Sequence, residues 1–300
     1  TKYNMKKVLI MALAAMSLTA QAQIVDVTST QQLLKGVDSN MYYPVLSTDG
    51  SKMLYTSENF QGLKLYDFKD NVTQKVSDES RAGLDATFSC DGQTVYFVTQ
   101  TWQDNRNMRQ AKSYDIATRK LNEISAKGRV VARPMALKNG VMTTIDGVVS
   151  ITDNKSTTVR TKGSVLYIGR NGVEKAYTPV ESHAGYLWES LSPDGTKVMF
   201  FAAGKGIVIT DLNGNVLKQL GNYESPVWFG NDCVVAMNAK HNGYQHTASQ
   251  IVLMRADGSE LQELTRPESM TMNPTASFEA GKIVYNTIDG RLYQMNVNLK

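Results

Sequence analysis

Tyr186-Leu187-Trp188-Glu189-Ser190-Leu191-Ser192-Pro193-Asp194-Gly195-Thr196-Lys197-Val198-Met199-Phe200-Phe201 reads as strand, tight turn, strand. Pro193 presets φ at about −65°, and Gly195 tolerates the positive φ that a tight turn needs. Val198–Phe201 is a short apolar run with two aromatics, the pattern of a buried strand. The same pattern returns, degraded, along the chain.

Six units share it. Unit one is Pro44-Val45-Leu46-Ser47-Thr48-Asp49-Gly50 followed by Lys52–Tyr55, and unit two is Ala86-Thr87-Phe88-Ser89-Cys90-Asp91-Gly92 followed by Thr94–Phe97. Pro134–Gly140 opens a weaker third, and the stretch quoted above is the fourth, with Glu189 at the anchor. Pro226–Asn231 and Pro274–Glu279 open the fifth and sixth. Anchors at 44, 86, 134, 189, 226 and 274 lie 42, 48, 55, 37 and 48 residues apart. That is the period of one four-stranded propeller blade, roughly 40–50 residues. Each unit continues with a third strand, such as Leu65-Tyr66-Asp67 or Ser113-Tyr114-Asp115, then a turn and an outer strand. Thr157–Thr161 is read as the outer strand of unit three.

The fold expected is therefore an all-β propeller of six four-stranded antiparallel blades. The sixth unit lacks an outer strand, and Thr30–Leu34 can supply it from the N-terminus. Such closure pairs edges that would otherwise be exposed. Ser164–Pro179 fits less cleanly. It reads as an extra hairpin in blade three, as the true outer part of that blade with 148–161 as an excursion, or as a seventh blade.

The first 22 residues have the pattern of a secretory signal. Lys2, Lys6 and Lys7 precede the apolar run Val8–Met16, and Ala20-Gln21-Ala22 is a small-x-small cleavage site. Met5 is the natural-looking start, which puts the signal proper at 5–22. Cleavage is expected between Ala22 and Gln23, leaving a single domain over 23–300 in the periplasm or outside the cell. The run is too short for a transmembrane anchor, which takes about 20 residues. The chain carries 32 basic and 28 acidic residues, net +4; without the three signal lysines the balance is 29 to 28. No basic cluster suggests nucleic acid. The two cysteines, Cys90 and Cys233, fall on distant blades and are expected unpaired.

Ser47-Thr48-Asp49-Gly50-Ser51-Lys52 and Ser192-Pro193-Asp194-Gly195-Thr196-Lys197 resemble the Ser-Pro-Asp-Gly-Lys repeat of the TolB-like six-bladed β-propellers, as do Trp228 and the Tyr-Asp pairs at 66–67 and 114–115. The resemblance spans about residues 30–300. It implies a fold shared by envelope proteins, peptidase propeller domains and some lyases, and here an exported Gram-negative, Bacteroides-type envelope protein. TolB carries an α/β domain before its propeller. Only residues 23–29 separate the cleavage site from Thr30, so that domain and a Tol–Pal role are not expected.

Sites on propellers form where lead-in loops and second-to-third-strand loops converge around the channel. The lead-in loops bring Tyr43, Asp85, Arg133, His183, Tyr186, Trp188 and Glu189. Two long hairpin loops bring Trp102, Asp104 and Arg106 on one side and His241, Tyr244 and His246 on the other. In a six-bladed ring these loops face each other. Aromatic faces with amide and carboxylate neighbours suit a sugar or a peptide. Against this, Trp102 can cap its own blade, Trp188 can pack between blades, and Trp228 occupies the repeat's core position. Asp49, Asp91 and Asp194 are turn residues rather than catalytic carboxylates. The sequence contains no nucleophile elbow, phosphate loop or HExxH helix.

The function expected is a monomeric, non-enzymatic binding module or scaffold for an envelope protein or glycan, needing no cofactor and no metal. The alternative is a propeller lyase or hydrolase acting on an acidic polysaccharide. Arg133 and Arg106 would then hold carboxylates, and His183, His241 and His246 a metal. The two differ in whether the three histidines converge beside an acid.

Overall fold

The computed structural model describes residues 23–37 and 40–300. The expected signal peptide, residues 1–22, lies outside them. Among the described residues no helix is long and apolar enough to cross a membrane.

Seven antiparallel sheets form the blades, not six. The first strand, β1 (Val25–Gln32), belongs to the last blade; blade 1 holds β2 (Tyr42–Leu46), β3 (Lys52–Thr56), β4 (Leu63–Asp67) and β5 (Val72–Ser77). Blade 2 holds β6 (Thr87–Phe88), β7 (Thr94–Gln103), β8 (Arg106–Asp115) and β9 (Lys120–Glu123). Blade 3 has three strands, β10 (Met135–Leu137), β11 (Gly140–Ile145) and β12 (Val148–Ile151). Blade 4 also has three, β13 (Thr158–Lys162), β14 (Val165–Arg170) and β15 (Val173–Tyr177). Blade 5 holds β16 (Tyr186–Leu191), β17 (Lys197–Ala202), β18 (Gly206–Asp211) and β19 (Val216–Gly221). Blade 6 holds β20 (Glu224–Phe229), β21 (Cys233–His241), β22 (His246–Arg255) and β23 (Leu261–Glu263). Blade 7 holds β24 (Thr271–Ser277), β25 (Lys282–Thr287) and β26 (Leu292–Leu299), with β1 (Val25–Gln32) as its outer strand.

The six-blade expectation is thus corrected in favour of its seven-blade alternative. The discrepancy arises at 152–179. Val148–Ile151 is the third strand of blade 3, and Thr157–Thr161 is not its outer strand. That segment departs as β13 and pairs with β14, so the Ser164–Pro179 hairpin belongs to a separate blade.

The Ser-x-Asp-Gly turns explain why blades 1, 2 and 5 were legible. Ser47, Ser89 and Ser192 each donate to the Asp two residues on, at 2.6, 2.5 and 2.6 Å. Each also accepts from the backbone N–H that opens the second strand, at 3.0, 2.9 and 3.0 Å. Gly50, Gly92 and Gly195 sit at φ +65°, +67° and +69°. One buried hydroxyl therefore closes the hairpin on both sides, which is local chemistry any reader of the chain can find.

Ring closure follows the expected plan, with a longer and earlier strand. β1 pairs with β26 over Val25–Gln32, in the register Thr30↔Met295, where Thr30–Leu34 was expected. Gln262 of blade 6 clamps its start: Oε1 accepts from Ile24 and Val25 N–H at 2.8 and 2.9 Å, and Nε2 donates to Val25 O at 3.0 Å. The C-terminus meets the same corner, with Lys300 N–H donating to Ile24 O at 3.1 Å.

Apolar contact runs between blades. Separate buried clusters join blades 1 and 2, 4 and 5, 5 and 6, 6 and 7, and 7 and 1. Phe97, Phe200 and Phe229 are fully buried in them, each contributing about 1.5–3 kcal/mol of transfer free energy. Trp228 packs against the blade 5–6 cluster, as its repeat position implied. Among the described residues, blades 2 and 3 share only Val98, Ala111 and Val131 with two flanking isoleucines. Between blades 3 and 4 the described residues form no cluster of their own; Met135 alone reaches across to the blade 4–5 core.

Candidate functional site

Where that packing is missing, the ring is hollow. A cavity of about 1210 Å³ opens between blades 2 and 5. It exceeds the roughly 300–1,000 Å³ of a small-molecule pocket. Its walls come from the channel-side strands β10, β13 and β16 and from Tyr167 on β14. Arg129, Val130 and Asp146 rim the end where the lead-in loops lie; Cys90, Lys138 and Asp194 rim the opposite end.

The hollow has a topological cause. β13 runs opposite to its neighbours. The segment before it lies under the β10–β11 turn, where Lys138 N–H donates to Ser156 Oγ and Asn139 N–H to Asp153 Oδ2, both at 3.3 Å. The turn after it lies at the start of β16, where Tyr186 N–H donates to Gly163 O at 2.8 Å. By direction, blade 3 therefore lacks its outer strand, and blade 4 lacks the strand that descends the channel in the other blades.

Arg160 on β13 is fully committed. Its Nε and one terminal nitrogen bond the two Glu174 oxygens at 2.8 and 2.6 Å, and its guanidinium lies 3.9 Å from the Tyr167 ring centroid. Glu189 on β16 accepts the Thr161 hydroxyl at 3.0 Å. Burial in the wall pushes its carboxyl above the ordinary range, while Thr161 and the Arg133 charge pull it back. Asp146 accepts the Arg129 and Val130 N–H groups at 3.3 and 2.8 Å, and Asp194 is held in its turn. The acids in the lining are thus occupied by the protein's own donors. Arg129, Arg133, Lys138 and Lys162 line the same space, and among the described residues none has an ion-pair partner on its side chain. The cavity is large, and the acids of its lining are already engaged.

Of the residues picked from sequence, Arg133 and Glu189 line this cavity. Tyr186 is buried, packs at a tilt on Phe200 with centroids 4.5 Å apart, and bonds the Val180 carbonyl, which is a packing role. Trp188 is 38% exposed and packs edge-on against Phe201 at 5.2 Å. Tyr43 packs on Phe60 at 4.4 Å. Asp85 pairs with Arg81 at 2.8 Å. Trp102, Asp104 and Arg106 sit at the tip of the β7–β8 hairpin; Asp104 and Asn105 form its turn with φ 50° and 58°, and Trp102 is 74% exposed. Tyr244 is wholly exposed at the tip of β21–β22. These two hairpins belong to blades 2 and 6, three blades apart the short way round a ring of seven and so as nearly opposed as an odd ring allows.

His241 and His246 face each other across β21–β22, their ring centroids 4.1 Å apart, with Glu224 Oε1 3.3 Å from His241 Nε2. Burial, then the His241 charge, lowers the His246 pKa. His183 is exposed on the loop before β16 and joins neither. No group of three or more metal-ligating side chains comes together among the described residues.

Tyr43, Trp188, Ser225 and Asn273 share one local device. Each has φ near +50° (53°, 55°, 49° and 51°) and sits in a bulge of its channel-side strand. That left-handed conformation costs roughly 1–2 kcal/mol for a residue with a Cβ. It recurs in blades 1, 5, 6 and 7, so it is a property of the repeat rather than of one site. The residues missed from sequence are Thr161, Arg160, Met135 and Tyr167. The alternation Val159, Thr161 against Arg160, Lys162 was the available signal, but the segment lacks an Asp-Gly turn to anchor it.

No protein-family model matches the sequence, and no curated protein matches it. Solved structures do match in fold. TolB from Acinetobacter baumannii is 18% identical with a TM-score of 0.51, over 79% of this chain and 57% of that one. This chain therefore spans little more than half the length of that TolB chain. A chain of a mitotic checkpoint complex is 10% identical with a TM-score of 0.60, over 97% and 100%. An oligogalacturonate lyase in complex with manganese is 11% identical with a TM-score of 0.50, over 88% and 78%. At these identities the likeness is one of fold: the chain is a β-propeller with a TolB structure among its neighbours.

Proposed function

We propose that this protein is an exported, non-enzymatic propeller that binds a protein or glycan partner through its lead-in face and the cavity beneath it. The observation that carries the reading is the cavity itself. It is larger than an ordinary small-molecule pocket, and its unpaired basic side chains outnumber its unengaged acids. Sites of that kind take an oligomeric, carboxylate-bearing ligand. The exported location rests on the signal-like N-terminus.

The lyase reading needs His183, His241 and His246 beside an acid, with Arg106 and Arg133 on the substrate. Only His241 and His246 stand together with Glu224, and only Arg133 reaches the cavity. Binding without catalysis is therefore the better account.

The test compares wild type with the Arg133→Ala/Lys162→Ala double variant on arrays of acidic and neutral glycans and of peptides. The wild type should retain acidic probes that the double variant loses. Equal retention by both proteins would remove the cavity as the binding site. Trp188→Ala is the companion variant, reporting on the rim rather than the cavity.

A further inference from the structure

Each strand of the ring reverses the one before it. Strands can then be lost only in pairs if the chain beyond is to keep its orientation. The pair missing here is the outer strand of blade 3 and the descending channel-side strand of blade 4. The hollow lies beside that second vacancy, bounded by β13 and by the descending strands β10 and β16.

β13 turns an unpaired edge to the hollow. Its pairing with β14 runs Lys162↔Val165, Arg160↔Tyr167 and Thr158↔Gly169, joined by a two-residue turn. The alternation of an antiparallel ladder then aims the backbone groups of Val159 and Thr161 away from β14. Side chains stand in for a neighbouring strand. Val159 N–H meets the Met135 sulfur at 3.3 Å, a weak acceptor, and the Thr161 hydroxyl donates to the Tyr186 carbonyl at 3.3 Å and to Glu189 at 3.0 Å. The carbonyls of Val159 and Thr161 receive no hydrogen bond from outside their sheet among the described residues. A strand edge with loosely met donors and open acceptors is a template for another strand. The five residues of β13 span about 17 Å at the usual rise. Arg129, Arg133, Lys138 and Lys162 surround the same space, and among the described residues none forms a salt bridge, although the Arg133 charge acts on Glu189.

We infer that the cavity is a strand-acceptor site: an extended, acidic peptide segment of a partner protein lies antiparallel along β13, descends in the direction of β10 and β16, and restores the strand blade 4 lacks. The inference rests on the binding reading above and narrows its partner from protein or glycan to peptide. Main-chain bonds to Val159 and Thr161 supply register. Carboxylates on the segment meet the four free basic side chains.

A display library of short random peptides is panned on the intact protein, and a series of oligogalacturonides is titrated in parallel. Enriched peptides should be rich in Asp and Glu, should slow hydrogen exchange at Val159 and Thr161, and should lose binding roughly tenfold when alternate amides are N-methylated. Thr161→Pro removes one inward donor from an edge strand, where proline is tolerated. It should weaken the peptide roughly tenfold, whereas Thr161→Val keeps the donor and should stay within about threefold. If peptides bind but N-methylation leaves them unaffected and exchange unchanged, the strand-acceptor site is overturned. Binding of oligogalacturonides alone also overturns it and leaves the binding reading standing. If neither probe binds, both readings fall.

Discussion

Thr161 donates its hydroxyl to Glu189 Oε2 across 3.0 Å, tying the ascending strand β13 to the descending strand β16. Glu189 stands where four other units carry proline at the anchor. Proline has no use for a polar partner, whereas the carboxylate answers donors that only β13 presents. The anomaly in one blade is matched by the anomaly in the next.

Glu189 also sets a pH dependence. Burial raises its pKa against the pull of Thr161 and Arg133. The folded protein then holds this proton more tightly than the unfolded chain does. Stability is therefore lost as pH rises from the unfolded value through the folded one. Glu189→Gln should keep or raise the unfolding temperature at neutral pH and lose that advantage in acid, as thermal melts across the carboxylate range will show. A neutral-pH melt several degrees lower would mean that the ionised hydrogen bonds to Thr161 outweigh burial.

The turn aspartates have the opposite sign. The Ser192 hydroxyl, with Thr196, holds Asp194 below the usual carboxylate range, and Ser89 does the same for Asp91. Their contribution is present above the unfolded value and disappears as pH falls through the folded one. Asp194→Ala should destabilise the fold by about 1 kcal/mol at neutral pH. The deficit should shrink in acid, measured by denaturant titration at each pH.

Gln262 bonds the backbone of the closing strand at three points. Gln262→Ala leaves two N–H groups and a carbonyl without those partners, an expected loss of roughly 1–3 kcal/mol. Hydrogen exchange should quicken at Ile24 and Val25 and not in blade 3. A uniform increase around the ring would show that closure is not a local event.

The two cysteines differ in access. Cys90 lies exposed in the blade 2 turn at the cavity rim, and Cys233 is 2% exposed in the blade 6–7 core. A thiol reagent should modify Cys90 in the native protein and Cys233 only after unfolding. Partial desolvation by the surrounding turn, then the Asp91 charge, raises the Cys90 thiol although its side chain is accessible, so native labelling should speed up as pH rises. Native labelling of both would mean that blades 6 and 7 open.

Most of the ring was readable because blade-making chemistry is local. Ser192, Asp194 and Gly195 act on one another within a few residues, and the same contacts recur at Ser47 and Ser89. Glu189 was visible as a departure from that pattern, and Arg133 only as a residue of a lead-in loop. Blade 4 was not, because nothing local in Thr158–Lys162 says which neighbour it pairs with. Its partner is decided by the direction in which the chain arrives, and direction follows from strands that are missing. The added blade leaves the Trp102 and His241 loops three blades apart, close to the opposed placement expected of a six-bladed ring.

The corner where Gln23 and Lys300 meet has its own consequence. Lys300 Nζ lies 2.6 Å from Gln23 Oε1 and 3.1 Å from Asp26 Oδ1. Gln23, the first described residue, and Lys300 thus sit together at one point on the circumference, at the outer rim of blades 6 and 7. A tether there would hold the disc by its edge, like a coin gripped at the rim, with both openings of the hollow clear of the attachment.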